Sequence, residues 1–197
     1  MSSHHFVKEK QEPALYIHSE KFLNTELLGQ LLEWCPFVIV DEHALYILNH
    51  EPIKIDLVIQ QLLSDSEISE WTANQPNIKI IKLDETEDKL LSLLQYLEKE
   101  NHFAISLLAC SDEHFKIIQT NNFNLDIIQY TEQYKGFFID RTFKKWKEKD
   151  SEFEINVEEI ETKNLIRCNS IWKVIEDGLV EIQVKSKTYI KEFKLGN

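Results

Sequence analysis

Over its first 130 residues the chain sets short apolar runs of strand length between segments of helical period. Ala14 to His18, Phe37 to Asp41, Ile55 to Ile59, Ile78 to Lys82, Phe103 to Leu108 and Leu125 to Tyr130 read as strands. Between the first two, Thr25 to Trp34 places leucines at 27, 28, 31 and 32 on one face of an amphipathic segment. Ser64-Asp65-Ser66-Glu67 matches a capping box, so a short helix is expected to start there and fade before Pro76. Thr86 to Glu100 is the clearest helix, with leucines 90, 91, 93, 94 and 97 sharing a face, and a further short helix is expected over Asp112 to Gln119. Strands this apolar, each followed by a helix, predict a parallel sheet covered on both faces, because parallel neighbours need a crossover connection.

After Gly136 the pattern changes. Phe137 to Asp140, Phe153 to Val157, Asn164 to Arg167, Ser170 to Ile175, Leu179 to Lys185 and Thr188 to Phe193 are short runs rich in Ile, Val, Phe and Tyr, with little helical period. Asp177-Gly178 between two of them signals a two-residue hairpin. The basic stretch Phe143 to Asp150 reads as an exposed excursion. The predicted class is α/β: a Rossmann-like, parallel-sheet domain over residues 1–130 with helices on both faces, then a small antiparallel β-sandwich over 131–197.

Composition narrows the function classes. A net charge of -12 opposes binding to a nucleic-acid backbone, and the one locally basic run, Lys144 to Lys149, is set among acidic neighbours. No apolar run approaches the roughly 18 residues of a membrane helix, so no membrane partner is expected and a cytoplasmic location is the default. Three cysteines, Cys35, Cys110 and Cys168, are widely spaced and odd in number, so neither a complete disulfide framework nor a CxxC metal site is expected. Four glycines in the whole chain exclude a P-loop and a GxGxxG turn, both of which need close backbone approach to phosphate.

Ligands of open parallel sheets bind outside the carboxyl ends of the strands. Those ends carry four polar loops: Asp41-Glu42-His43, Gln60 to Asp65, Asp84 to Asp88, and Cys110 to His114. Such an acidic set suits magnesium, a hard cation carried with substrate phosphates. Carboxylates in the same places also cap helices, so Asp41, Asp84 and Asp88 stay open between ligand contact and capping. His114 is either an acid–base group or a histidine on a helix surface, and Ser64 fits an N-cap. No nucleophile elbow or histidine pair of metal-ligand spacing is present.

Order and spacing of these elements resemble thiamin pyrophosphokinase over most of the chain. Val38-Ile39-Val40-Asp41-Glu42-His43-Ala44-Leu45 resembles the family's strand ending in Asp-Gly-Ala, with Glu42 in place of glycine. Lys54-Ile55-Asp56-Leu57-Val58-Ile59 resembles its Pro-Asp-Leu-Val-Ile-Gly, and the following turn resembles Gly-Asp-x-Asp-Ser, with Gln60 for the glycine, Gln61 and Leu63 for the two aspartates, and Ser64 kept. Glu87-Asp88 resembles its Thr-Asp pair, and Asp112-Glu113-His114 its Asp-His. The thiamin-contacting motif is not found, and Trp172 and Lys173 stand about where it should fall.

The resemblance implies transfer of pyrophosphate from ATP to thiamin, with magnesium held by the loop aspartates. It marks Asp41, Glu42, Gln60, Gln61, Ser64, Asp84, Asp88, Asp112 and His114 as the candidate pocket, with Asp88 and Asp41 as candidate metal ligands. Because Gln61 adds no charge and Leu63 no ligand atom, impaired or lost catalysis is expected, with binding of thiamin or a nucleotide retained. An active enzyme needing magnesium and ATP at a relocated site, built from Asp41, Asp84, Asp88 and Asp112, is the second expectation. A homodimer acting as an interaction protein is the third.

Overall fold

In the computed structural model, which describes residues 12–19, 25–34, 36–49, 53–75, 77–110, 116, 118–121, 123–157 and 159–194, the apolar runs become strands close to their predicted spans. The chain divides into two compact units, residues 1–126 and residues 127–197. The first unit holds β1 (Ala14–Ile17), α1 (Thr25–Leu32), β2 (Val38–Asp41), a 3-10 helix (Glu42–Asn49), β3 (Leu57–Gln60), α2 (Asp65–Trp71), β4 (Lys79–Lys82), α3 (Lys89–Lys99) and β5 (Ala104–Leu108). Its five strands are parallel in the order β5-β1-β2-β3-β4. Every residue of β1, β2 and β3 is buried, as expected of strands covered on both faces. Strand β4 stands at the edge and is mostly exposed, and its terminal lysines suit a strand that must not pair further.

Several boundaries move for local reasons. Strand β3 begins at Leu57 rather than Ile55, because Asp56 turns its carboxylate back to the amide of Val38 at 3.0 Å and the amide of Ile55 donates to Gln75 Oε1 at 3.1 Å. The helix expected from Thr86 begins at Lys89. Residues Asp84 to Glu87 form a turn of their own, in which Glu87 returns its carboxylate to the Asp84 amide at 2.7 Å, and Asp88 then caps the helix. The 3-10 helix between β2 and β3 was not expected. The helix predicted over Asp112 to Gln119 falls largely outside the described residues. No helix among the described residues is long and apolar enough to cross a membrane.

The second unit is antiparallel. One sheet runs β11 (Leu165–Cys168), β12 (Ile171–Val174), β9 (Glu152–Ile155), β14 (Thr188–Phe193), β7 (Tyr134–Ile139), β6 (Asp126–Tyr130), and a second runs β10 (Ile160–Lys163), β13 (Gly178–Val184), β8 (Thr142–Lys147). Their facing sides share one core: Phe153, Ile155, Val174 and Ile190 from the first meet Val180, Ile182 and Val184 from the second. That is the predicted sandwich. Two predictions fail within it. The basic stretch from Phe143 is largely strand β8, paired with β13 and packing Phe143 against the core, while Lys144 bridges to Glu181 at 2.6 Å. Asp177-Gly178 is not a hairpin turn. Both edges of β12 are already taken by β9 and β11, so the chain leaves it for the other sheet.

Candidate functional site

Strand β2 ends in Asp41, and the chain turns at once into the 3-10 helix at Glu42. This places two adjacent carboxylates below the surface, 0% and 2% exposed. Burying carboxylates is costly unless each is paired and hydrogen-bonded, and both are. Asp41 receives the Tyr16 hydroxyl at 3.0 Å and the His43 amide at 3.0 Å. The Lys89 ammonium lies 3.2 Å from Asp41 and 2.9 Å from Glu42, so one cation serves both. Tyr16 lies in β1 beneath the site, and its hydroxyl is also 3.2 Å from His18 Nδ1. Burial above all, then the Asp41 charge, raises the Tyr16 pKa well beyond the usual phenol range and keeps it a donor. Burial and the Asp41 charge likewise push the Cys110 thiol up.

Glu42 has a second set of partners. Its Oε2 accepts the amides of Gln61, Leu62 and Leu63, each at 2.9 Å, and its Oε1 accepts Leu62 again at 3.0 Å. The turn after β3 therefore wraps a carboxylate supplied by the loop after β2. Burial alone would raise the Glu42 pKa; the bond from Lys89 and the three amides override it and bring it to about 2.

The remaining residues of that turn are also engaged. Gln61 donates its side-chain amide to the carbonyls of Asp84 at 2.7 Å and Glu87 at 2.9 Å, tying the loop after β3 to the loop after β4. Gln60, buried at the end of β3, donates to Leu63 O at 2.7 Å and to Asp65 at 2.9 Å, while its Oε1 finds no partner among the described residues. Ser64 caps α2 in the predicted box: its amide donates to Glu67 at 2.8 Å and its hydroxyl oxygen faces the Glu67 amide. Asp88 caps α3 by accepting the Leu91 amide at 2.8 Å. The exposed Asp84 joins the site through its backbone carbonyl.

The structure thus brings Asp41, Glu42, Gln60, Gln61, Leu63, Ser64, Asp84 and Asp88 to one edge of the parallel sheet. Asp112 and His114 lie outside the described residues. Trp172 and Lys173 belong to the second unit, where Trp172 packs beside the sandwich core and Lys173 bridges to Glu152 at 2.6 Å. Sequence reasoning missed Lys89 and Tyr16. The available signals were a lysine directly after an N-cap aspartate, at the end of an otherwise acidic loop, and a hydroxyl in a strand with no other polar residue.

Asp41, Glu42 and His43 offer ligand atoms all within 4.8 Å of one another, a spacing that suits a metal ion. The charge of that corner is nevertheless already balanced in part by Lys89. What the arrangement provides as it stands is an ammonium between two carboxylates and a ring of amides around one of them.

No protein-family model matches the sequence, and no curated protein does. The fold, by contrast, is shared with solved structures. The chain is similar to thiamine pyrophosphokinase from Bacillus subtilis, with a TM-score of 0.71 and 13% identity, covering 92% of this chain and 99% of that one. It is similar to yeast thiamin pyrophosphokinase, with a TM-score of 0.66 and 10% identity, over 93% and 87% of the two chains. Thiamin pyrophosphokinase from Candida albicans gives 0.65 and 11%, over 92% and 89%. The chain has the thiamin pyrophosphokinase fold along nearly its whole length.

Proposed function

We infer that this chain is a divergent thiamin pyrophosphokinase-like protein that binds thiamin or a nucleotide and has lost pyrophosphoryl transfer. The observation that carries this reading is Lys89, whose ammonium stands within 3.2 Å of both Asp41 and Glu42. Moving a pyrophosphoryl group demands stabilisation of dense negative charge, which in such reactions comes from metal ions that oxygen ligands hold against the phosphates. A fixed ammonium would not supply the divalent charge that a magnesium ion held by oxygen ligands would bring to the phosphates. Gln61 turns N–H groups toward carbonyls, Leu63 has no ligand atom, and Asp88 is engaged as a helix cap.

Purified protein incubated with thiamin and Mg-ATP is expected to release no thiamin-dependent AMP above background. Release of AMP would overturn the reading, and its loss in Asp88→Ala would then favour a relocated metal site. Retained binding is tested separately, by thermal unfolding with thiamin, thiamin diphosphate, AMP and Mg-ATP. A true ligand at a hundredfold excess over its dissociation constant stabilises by about 2.7 kcal/mol. Silence from all four would sink the binding half of the proposal.

A further inference from the structure

Strand β7 pairs with β14 so that Phe137 stands opposite Ile190 and Lys135 opposite Glu192. Side chains two residues apart on a strand share a face, so Lys135 and Glu192 point to the side on which Phe137 and Ile190 build the sandwich core. From the facing sheet Lys147, at the end of β8, reaches the same corner. Its ammonium holds the Glu192 carboxylate and lies 6.0 Å from the centre of the buried Phe153 ring, with its side chain 11% exposed. Two ammoniums therefore meet one carboxylate, and Lys147 has taken it. Lys135, half-buried, is left with the face of Tyr130, its partner across β6, at 5.4 Å, and takes no carboxylate among the described residues. We propose that Lys135 is an acyl-acceptor site, at which the ε-amine takes an acetyl group from a small activated donor, an acyl phosphate or a thioester.

A half-buried ammonium without its own counter-ion is the form that loss of water penalises, so this corner favours the free amine, which is the nucleophile. Burial above all holds the Lys135 pKa below the usual lysine range; the Glu192 carboxylate opposes this, and the Lys147 ammonium adds to it. These are the two charged groups that the neighbouring strands β14 and β8 bring to Lys135. In the transfer, the amine nitrogen attacks the acyl carbon. The new N–C bond replaces the C–O bond of an acyl phosphate or the C–S bond of a thioester, phosphate or thiolate departs with the electron pair, and the surplus proton on nitrogen passes to water. The product suits the corner better than the ammonium does. An amide is neutral, so acetylation removes the excess positive charge and leaves Lys147 and Glu192 as a balanced pair. Lys147 itself is held as an ammonium by its carboxylate and is not free to attack. The inference rests on the second unit alone and requires neither thiamin, nor a nucleotide, nor loss of transfer.

The test exposes the full chain to acetyl phosphate and, separately, to the acetyl thioester of N-acetylcysteamine at about pH 7.5, stops each reaction while most molecules are still unmodified, and reads every lysine by peptide mass spectrometry. Lys145 and Lys149, exposed on the same unit, are the comparators. Lys135 should be acetylated about threefold or more above both. The donor that gives the larger ratio of Lys135 to Lys145 is the one the corner admits. Glu192→Gln removes the carboxylate that opposes deprotonation and should raise that ratio. Lys147→Met releases Glu192 to pair with Lys135 and should lower it, whereas a purely steric effect of the shorter side chain would raise it. Should Glu192→Gln fail to fold, the wild type and Lys147→Met carry the test. Lys135→Gln, which places a neutral amide at this corner, should melt at or above the wild-type temperature. Acetylation of Lys135 at or below the level of Lys145 and Lys149 with both donors would overturn the assignment, as would a raised ratio in Lys147→Met or a Lys135→Gln variant that melts well below the wild type.

Discussion

Without its ammonium, Lys89 would leave Asp41 and Glu42 as two neighbouring carboxylates with almost no access to water. Breaking a buried pair by removing one partner typically costs about 3–5 kcal/mol, so Lys89→Met should lower the urea midpoint by that equivalent, and Lys89→Arg, which keeps the charge, by less. The same cluster sets a pH dependence. Glu42 has an ordinary carboxyl value of 4.5 when unfolded and about 2 when folded. Its folded value is depressed, so its contribution is fully present above about pH 4.5 and is lost as pH falls from there through about 2. The full shift corresponds to roughly 3 kcal/mol, of which about 2 kcal/mol should be lost between pH 6 and pH 3, a difference that urea denaturation at the two pH values should detect. Glu42→Gln should flatten that part of the profile. The aspartate and glutamate were visible as candidates in the sequence, but whether they met a metal or a lysine depended on a residue 47 positions downstream of Glu42.

At the scale of the element, the capping signals were the most legible. Ser64-Asp65-Ser66-Glu67 forms its predicted box because every partner lies within four residues. Asp88 makes the cap expected of a carboxylate at a helix start, accepting the Leu91 amide. An N-cap tolerates asparagine, so Asp88→Asn should cost only a few tenths of a kcal/mol and Asp88→Ala about 1 kcal/mol by chemical denaturation. The strands of the second unit were less legible where charge obscured alternation. Strand β8 carries three lysines, and only its pairing with β13 explains why Phe143 faces the core. Strand β7 hides a similar dependence: a Cβ at Gly136 would lie 1.8 Å from the Tyr189 hydroxyl, which donates to the buried Gln129 at 2.8 Å. Gly136→Ala should displace that ring and cost about 1–3 kcal/mol in thermal or urea unfolding.

Across the whole molecule the charge is unevenly divided. Residues 1–126 carry 9 basic and 21 acidic side chains, whereas residues 127–197 carry 13 of each, so the whole net charge of -12 belongs to the unit that holds the candidate site. Like charges in one compact unit repel, and salt screens them over about 10 Å at 0.1 M. The melting temperature should therefore rise as sodium chloride increases from about 20 to about 300 mM, a range over which the screening length shortens severalfold. A fall in melting temperature over that range would mean that local pairs such as Lys89 with Glu42 outweigh the general repulsion.

The sequence by itself determined the local and periodic properties of this protein: which runs of the first unit are strands, where α2 is capped, that a parallel unit precedes an antiparallel one, and which polar residues end the parallel strands. Those follow from side-chain alternation and from hydrogen bonds between near neighbours. Tertiary structure alone decided what the strand-end residues do. Crossover connections bring the ends of β2, β3 and β4 side by side, and only there does Glu42 meet the amides of 61–63, Gln61 meet the carbonyls of Asp84 and Glu87, and Lys89 come between two carboxylates. The physical reason is the range of the interactions: a cap is satisfied within one turn of chain, whereas a buried charge takes whichever partner the fold delivers from dozens of residues away.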